Sequence, residues 1–386
     1  MFRVKVNCSW FLDREIPEEL DGPLFPLLQA IRDTGSIGKS AKLVGFSYRY
    51  AWGLVGKWQQ LLGQPLVLKE RGRGARLAPL GEKLLWAERR LRGRLTPQLE
   101  SFSAEMQREL SGVIFAAYPA VSVCASHDLA LAGLRDLLSQ RPGIQLDLDF
   151  RGSLDSLEAL EKGRCDLAGF HVAEYHGRGT LPHLAFRQWL KPRSHRLIDF
   201  VTRQQGLIVA SGNPKRIRCL DDLAQPGVRF VNRQRGSGTR FQFDQLLWEA
   251  GLDKAVIDGY QNEEFTHLAV AATIGGGHAD AGYGIRAAAA KYGLDFIPLM
   301  NERYFFACRG ESLEQPTLQQ LLDALKGADF RSLVASLPGY DASHAGEVLT
   351  VREALPWYDR AVALPEFAGD AVTLGDAIAR ASKKQE

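Results

Sequence analysis

The side chains best suited to chemistry lie in four short turns of the C-terminal two-thirds of the chain. They are Ala125-Ser-His-Asp128, Arg151-Gly-Ser153, Asn232-Arg-Gln-Arg-Gly-Ser-Gly-Thr-Arg240 and Asp280-Ala-Gly-Tyr-Gly284. Each reads as a strand-to-helix turn. A helix N-terminus there exposes free N–H groups and the positive end of the helix dipole, which suits an anion. Ser126, Ser153, Ser237 and Thr239 add hydroxyls, and Arg235 and Arg240 add charge. The third turn is the richest, because Gly238 and its neighbours let the backbone approach an anion while arginine supplies a guanidinium fork. A single Gly-Ser turn is an ordinary helix cap. The joint occurrence points to one anion site made by Ser126, His127, Ser153, Arg235, Ser237, Gly238, Thr239, Arg240 and Tyr283. Cys124, His127 and Asp128 lie close enough in sequence to suggest a nucleophile, a base and its orienter. No oxyanion-hole signal or catalytic motif accompanies them, so no catalytic residue is assigned.

Positioning those turns requires an alternation of strands and helices. From Val113, VIFAAYPAV reads as a buried strand, HDLALAGLRDLLSQ as a helix, IQLDLDF as a strand, SLDSLEALEKG as a helix and CDLAGFHV as a strand. GLIVA, RFVN and ADAGYG later alternate with TRFQFDQLLWEAG and IRAAAAKYG. This is an α/β pattern with parallel sheets, in two runs that suit two lobes around a cleft.

The N-terminal part carries a different chemistry. Ser36 caps a short helix bearing Ile37, Ala41, Leu43 and Val44, and Gly45 stops it. Ser47 caps a second helix whose inward face holds Ala51, Leu54, Val55, Trp58 and Leu62, leaving Tyr48, Arg49, Tyr50 and Lys57 outward. A short strand at residues 65–68, a turn with Arg71, Arg73 and Arg76, and a return strand from Leu77 form a basic hairpin beside it. Two helices in this order place the second in the major groove of double-stranded DNA, with the hairpin on phosphates or in the minor groove. The DNA-contacting set is Ser36, Ser47, Tyr48, Arg49, Tyr50, Trp52, Lys57, Arg71, Arg73 and Arg76.

Both parts resemble known families. Thr34-Gly-Ser-Ile37, Phe46-Ser-Tyr-Arg-Tyr-Ala-Trp52, Leu66-Val67, Arg71-Gly72, Gly74, Leu77 and Gly81 are similar to the winged helix-turn-helix of molybdate-responsive ModE-type regulators, and more distantly to LysR-type regulators. That likeness covers roughly residues 21–90 and implies a dimeric DNA-binding regulator. Ser126-His-Asp128, Gly152-Ser153, Glu161-x-Gly-x-x-Asp-Leu-Ala168, Arg235-Gly-Ser-Gly-Thr-Arg240 and Asp280-x-Gly-Tyr-Gly284 resemble the type 2 periplasmic-binding-protein fold, in the form related to molybdate and tungstate binders. This second likeness covers roughly residues 113–360 and implies two lobes closing on a small anion. The small β-barrel ligand domain usual in ModE-type regulators has no counterpart in this sequence.

The expected architecture is therefore α/β with an N-terminal winged helix-turn-helix and a C-terminal two-lobed, periplasmic-binding-protein-like fold. Residues 1–90 form the DNA-binding domain, 91–112 a linker and dimerisation helix interrupted at Thr96-Pro97, 113–362 the sensor and 363–386 a helical tail. Residues 2–12 read as a strand and residues 17–21 as a turn. The 386 residues are 45% hydrophobic with net charge +3. About 18 lysines and arginines stand against about 12 acids before Val113, so the positive charge sits at the DNA-binding end. Cys8, Cys124, Cys165, Cys219 and Cys308 are scattered, without a C-x-x-C, which argues for reduced thiols and against a metal cluster. No signal peptide or membrane-spanning run is evident, so a cytoplasmic location is expected. The expected function is a transcriptional regulator sensing molybdate or tungstate, with no other cofactor, acting as a homodimer or dimer of dimers. The alternatives are the same architecture sensing an organic acid or molybdenum-cofactor fragment, and a cytoplasmic oxyanion-storage protein without a DNA-binding role.

Overall fold

The computed structural model describes residues 4–12, 18–20, 22–70, 74–114, 119–140, 143–174, 186–235 and 237–359. The expected helical tail at 363–386 lies outside them, as do Arg71 and Arg73 of the wing.

Near the N-terminus, β1 (Trp10–Leu12) pairs antiparallel with β2 (Glu18–Leu20). Part of the expected turn at 17–21 is thus strand, and the expected strand at 2–12 is confined to its end. Helix α1 (Leu24–Thr34) buries Leu24, Leu27, Leu28 and Ile31 at helical spacing and stops at Gly35, whose φ is 63°. Helix α2 (Ile37–Leu43) begins at the Ser36 cap, and α3 (Tyr48–Leu62) begins at the Ser47 cap. These helices close on a core centred on Trp58, which is fully buried. The hairpin β3 (Val67–Glu70) and β4 (Gly74–Leu77) follows. Gln59 Oε1 accepts from the backbone N–H of both Leu66 and Val67, which fixes the hairpin to α3. Gly74 is required at its position: φ is 98°, and a Cβ would lie 2.2 Å from the Gly35 carbonyl oxygen.

Helix α4 (Pro79–Ile114) is continuous through the expected interruption at Pro97. A proline inside a helix leaves the carbonyl four residues back without its donor. Here that carbonyl belongs to Gly93, and the Thr266 hydroxyl donates to it at 2.6 Å. A tertiary bond has replaced the missing helical one. The expected strand at 113–121 is also shifted, since α4 runs to Ile114 and β5 starts at Ala120.

The C-terminal part is one ten-stranded sheet that serves two lobes. In the first lobe, β5 (Ala120–Ala125), β6 (Gln145–Phe150) and β7 (Leu167–Ala173) are parallel, with α5 (Leu129–Ser139) and α6 (Ser153–Glu161) as crossovers. In the second, β9 (Phe230–Arg233), β10 (Glu263–Glu264) and β11 (Ala281–Ile285) are parallel, with α7 (Gly238–Glu249) and α8 (His267–Gly275). Two 15-residue strands, β8 (His195–Val209) and β12 (Asp295–Arg309), pair antiparallel and run through both lobes. The expected parallel sheet is therefore mixed, because one crossing strand leaves the first lobe and the other returns to it. Gly206 sits at the crossing, where a Cβ would meet the Ile297 carbonyl oxygen at 2.0 Å. The strand register shifts at Pro298/Met300 and again at Tyr304/Phe305, which bends the pair between the lobes. Apolar cores cover both faces of each lobe.

Helix α4 lies against this sheet domain rather than free of it. A Cβ on Gly93 would stand 2.9 Å from the Ala269 backbone nitrogen, and one on Gly275 would stand 2.1 Å from the Trp86 ring. Gly93→Val is expected to destabilise the chain by roughly 1–3 kcal/mol through overpacking. Gly56→Ala, where a Cβ has open space, is expected to be neutral or stabilising by up to about 1 kcal/mol. Denaturant unfolding of the two variants checks both; equal midpoints would contradict the docking of α4.

Candidate ligand cleft and DNA-binding surface

Between the lobes, the crossing strands carry buried charge. Arg203 on β8 and Glu302 on β12 are register partners, both almost wholly buried, with Nε 2.8 Å from Oε2. The same guanidinium reaches Asp128 at 2.7 Å. Asp128 also caps α5 by accepting from the N–H of Ala130 and receives the Tyr340 hydroxyl at 2.8 Å. Gln205 Nε2 donates to Glu302 Oε2 at 2.9 Å, and Gln242 Nε2 donates to Oε1 at 2.5 Å. Gln242 belongs to the second lobe and Asp128 to the first, so the Arg203–Glu302 pair joins them. Burial pushes the Glu302 carboxyl upward, but Arg203, His171 and the hydrogen bonds outweigh it and hold it down at about 2. Arg203 stays charged, because the surrounding acids overcome its desolvation.

Around this pair lie the donors expected of an anion site. Ser126 Oγ and Ser153 Oγ are 3.2 Å apart, and Ser153 Oγ accepts from the His171 backbone N–H at 3.4 Å. Ser153 opens α6, so the free N–H groups of that helix face the same turn. The His171 ring stacks on Tyr304 at 3.9 Å, and Tyr304 donates to the Ser126 carbonyl oxygen. Thr239 Oγ1 is 3.5 Å from His267 Nε2. Arg233, half-buried by its own surface, reaches the Phe265 carbonyl oxygen at 3.0 Å. Desolvation, then repulsion from Arg203, lowers Arg233 to about 9. Desolvation and Arg203 lower His171 to about 4, and His267 is driven down by desolvation and by Arg233, Arg203 and His171. Both rings are neutral near pH 7, and a bound anion would raise their affinity for protons. His171 Nε2, His267 Nδ1 and Arg233 Nε are buried without a protein partner.

The sequence-derived site is only partly assembled here. Ser126 and Ser153 lie side by side in the first lobe, and Thr239 lies beside His267 in the second. His127 lies against α4, its Nε2 3.6 Å from Glu100. Ser237 caps α7, accepting from the Arg240 N–H and donating to the Gln234 carbonyl oxygen, and Gly238 is the first helical residue. Arg235 is 74% exposed and pairs with Glu263. Arg240 is buried among Asp244, the Arg233 carbonyl oxygen and the Tyr260 ring. The fourth expected turn, at 280–284, is the strand β11 itself. Tyr283 on it is a fully buried core side chain stacked on Phe243, with ring centroids 5.3 Å apart. Cys124 points into a core on the other face of β5 from its neighbours Val123 and Ala125, beside the free thiol of Cys165, so no nucleophile–base–orienter set forms with His127 and Asp128. Among the described residues, no group of three or more His, Cys, Asp or Glu is placed to hold a metal.

The second candidate surface belongs to α3 and its wing. Tyr48, Arg49 and Tyr50 form an exposed first turn, and Lys57 is exposed two turns on. Ser36 and Ser47 spend their hydroxyls as helix caps. Trp52, 38% exposed, holds Lys69 of β3 over its ring at 3.7 Å, which ties the hairpin to the helix. Arg76 is exposed on β4. No described helix is long and apolar enough to cross a membrane.

With this geometry in hand, the chain is similar to known proteins as follows. A family model described as a PBP superfamily domain matches residues 135–326. The chain is 32% identical over 201 residues to the uncharacterized protein YvgK of Bacillus subtilis (strain 168), covering 52% of this chain and 64% of that protein. It is 38% identical over 112 residues to an uncharacterized protein in the ferredoxin 2Fe-2S gene 5′ region of Clostridium pasteurianum, covering 28% of this chain and 96% of that protein. It is 37% identical over 92 residues to the molybdenum-pterin-binding protein MopB of Rhodobacter capsulatus, covering 23% of this chain and 34% of that protein. The chain thus spans less than two-thirds of the length of the first and third of these relatives.

The cleft makes stability depend on pH. His171 is lowered to about 4 in the folded chain, so the unfolded chain binds more protons between its ordinary value of 6.5 and 4. Stability is then lost as pH falls through that window, by roughly 1–3 kcal/mol. Glu302, held at about 2, has the same sign, and its contribution is lost from 4.5 down to 2. His171→Asn is expected to lessen the loss in the upper window, to which His267 also contributes, and to leave the lower window alone; unfolding midpoints measured across pH check this, and an unchanged profile would contradict the assignment.

Proposed function

For a chain that belongs to the family of the Clostridium pasteurianum protein from the ferredoxin gene 5′ region, and that carries a PBP superfamily match, we propose the role of a ligand-responsive, DNA-binding regulator. Helix α3 enters the major groove with Tyr48, Arg49 and Tyr50 on base edges and phosphates, while Lys57, Arg71, Arg73 and Arg76 hold the backbone on either side. Two copies acting together would match a two-fold operator. Such a protein works where the DNA is, in the cytoplasm, and no step of this role is catalytic.

The interlobe cleft is the sensor, and its ligand is a small anion. Arg233, the hydroxyls of Ser126, Ser153 and Thr239, and the ring nitrogens of His171 and His267 are its contacts. The resemblance to molybdate-responsive regulators favours molybdate or tungstate. Similarity to a relative named for binding molybdenum-pterin supports a second reading, a pterin-bearing fragment of the molybdenum cofactor.

The observation that carries the regulatory reading is the path of α4. This helix starts at the wing and reaches both lobes. Trp86 lies between Arg32 of α1 and Arg89, and Arg89 covers the Tyr292 ring of the second lobe at 4.9 Å. Arg94 pairs with the buried Glu264 of the second lobe. Glu100 pairs with Arg135 of the first lobe at 3.3 Å. A change in the angle between the lobes therefore loads the helix that carries the DNA-binding domain. Thr266, which donates to Gly93, is followed directly by His267 of the cleft.

Two measurements test the role. Calorimetric titration of the full chain with molybdate, tungstate and sulfate is expected to give heat with the first two and weaker binding with sulfate. Arg233→Ala is expected to weaken binding at least about tenfold. Absence of binding by the folded chain would remove these oxyanions as effectors. In anisotropy with a duplex enriched from random sequence, Arg49→Ala is expected to weaken DNA binding without altering ligand affinity. Thr266→Val is expected to keep both affinities and lose the effect of ligand on DNA affinity, which is of order 5–150-fold in coupled systems. Retained coupling in Thr266→Val would rule out this route.

A further inference from the structure

The cleft contains acceptors that a bare oxyanion cannot satisfy. Gln205 is fully buried and Gln242 is 5% exposed. Each donates its amide nitrogen to Glu302, which fixes both amide orientations, so each Oε1 is an acceptor turned away from the carboxylate. Both Oε1 atoms are buried without a partner, and so is Oε1 of Gln234, next to Arg233. Buried polar atoms in folded proteins are almost always paired, with protein, water or a bound group. His171 Nε2, His267 Nδ1 and Arg233 Nε are likewise buried without a partner. The cleft therefore offers donors and acceptors together.

We infer that the ligand is an anion that also carries hydrogen-bond donors, of the class of a phosphoryl group that keeps a proton or is joined to an N–H- or O–H-bearing organic moiety. The inference rests on the cleft being the anion site, and within that reading it sets the donor-bearing fragment above bare molybdate or tungstate. Molybdate, tungstate and sulfate at neutral pH present only acceptors. They can meet Arg233 and the histidines, but they leave the oxygens of Gln205 and Gln242 unpaired. A site built to accept from a ligand O–H or N–H discriminates strongly against an analogue that lacks it, because its own buried groups are then stranded. Glu302 contributes by positioning: held ionised beside Arg203, it takes both amide nitrogens and so leaves both amide oxygens as the acceptors.

The test is calorimetric titration of the full chain near neutral pH with probes that differ in donors. Inorganic phosphate and arsenate carry O–H, neopterin monophosphate adds ring N–H groups, and sulfate and molybdate carry no donor. At least one donor-bearing probe is expected to bind at least about tenfold more tightly than molybdate. Phosphate above sulfate places the donor on the oxyanion itself, whereas neopterin monophosphate above phosphate places it on the organic part; both outcomes support the inference. Gln205→Met and Gln242→Met, each of which also removes a hydrogen bond to Glu302, are expected to shrink the ratio of donor-bearing-probe to molybdate affinity, whatever they do to molybdate binding itself. Molybdate or sulfate binding as tightly as every donor-bearing probe to the wild-type chain would overturn the inference, whatever the variants do. A margin that survives both substitutions would overturn the role of the two amides. If Arg233→Ala leaves every probe unaffected, the cleft itself is not the anion site, which is a separate failure of the functional reading and carries the inference with it.

Discussion

Pro97 cannot donate the backbone hydrogen bond that the Gly93 carbonyl would receive in an unbroken helix, and the Thr266 hydroxyl donates it instead at 2.6 Å. That one substitution of partner ties the connector helix to the sheet domain. It works only because residue 93 is glycine, which lets the helix approach the backbone of Ala269 closely enough for a threonine to reach. Thr266 also caps α8 by accepting from the Ala269 N–H, so the docking contact and the helix start are the same side chain. The next residue, His267, faces Thr239 in the cleft. The proposed ligand contact and the helix docking are thus adjacent in the chain, which would let one influence the other.

The second constraint lies on the crossing strands. Arg203, Glu302 and Asp128 are almost entirely removed from water, and such a set is stable only when every charge is paired and hydrogen-bonded. Removing one member strands the others at a cost of about 3–5 kcal/mol. Polar groups so costly to bury are commonly kept where they define geometry. Here they bring residues of both lobes to one point, with Asp128 from the first and Gln242 from the second. The surrounding histidines stay neutral for the same reason, since the positive potential of Arg203 and Arg233 and the loss of water both oppose protonation.

Local signals were well written in the sequence. Ser36 and Ser47 cap the helices their positions predict, Gly45 adopts the left-handed conformation of a helix stop, and the hairpin follows α3 directly. The α/β character and two-lobed plan were legible from the alternation of apolar runs. Long-range features were not. Arg203, Gln205 and Glu302 sit in the middle of strands whose pairing spans nearly a hundred residues, and no local pattern marks a polar residue there as buried beside a cleft. The Asp280–Gly284 stretch looked like a turn because it holds two glycines, yet those glycines permit close strand and helix packing: a Cβ on Gly282 would lie 2.6 Å from Val270. The helix break expected at Pro97 failed because its compensation comes from residue 266. The richest polar turn, at 232–240, spends Ser237 and Arg240 on its own helix and neighbours, which residue types alone do not disclose.

The central claim is that the DNA-binding surface and the interlobe cleft are ends of one mechanical path through α4. Hydrogen exchange tests it most directly, comparing the full chain alone with the chain bound to a duplex it has itself enriched from random sequence. By linkage, DNA must bias the cleft if the cleft biases DNA binding. Altered exchange is expected at α3, along α4 between Trp86 and Glu100, and at residues 266–269. Changes confined to residues 24–77, with α4 and residues 266–269 unmoved, would contradict it.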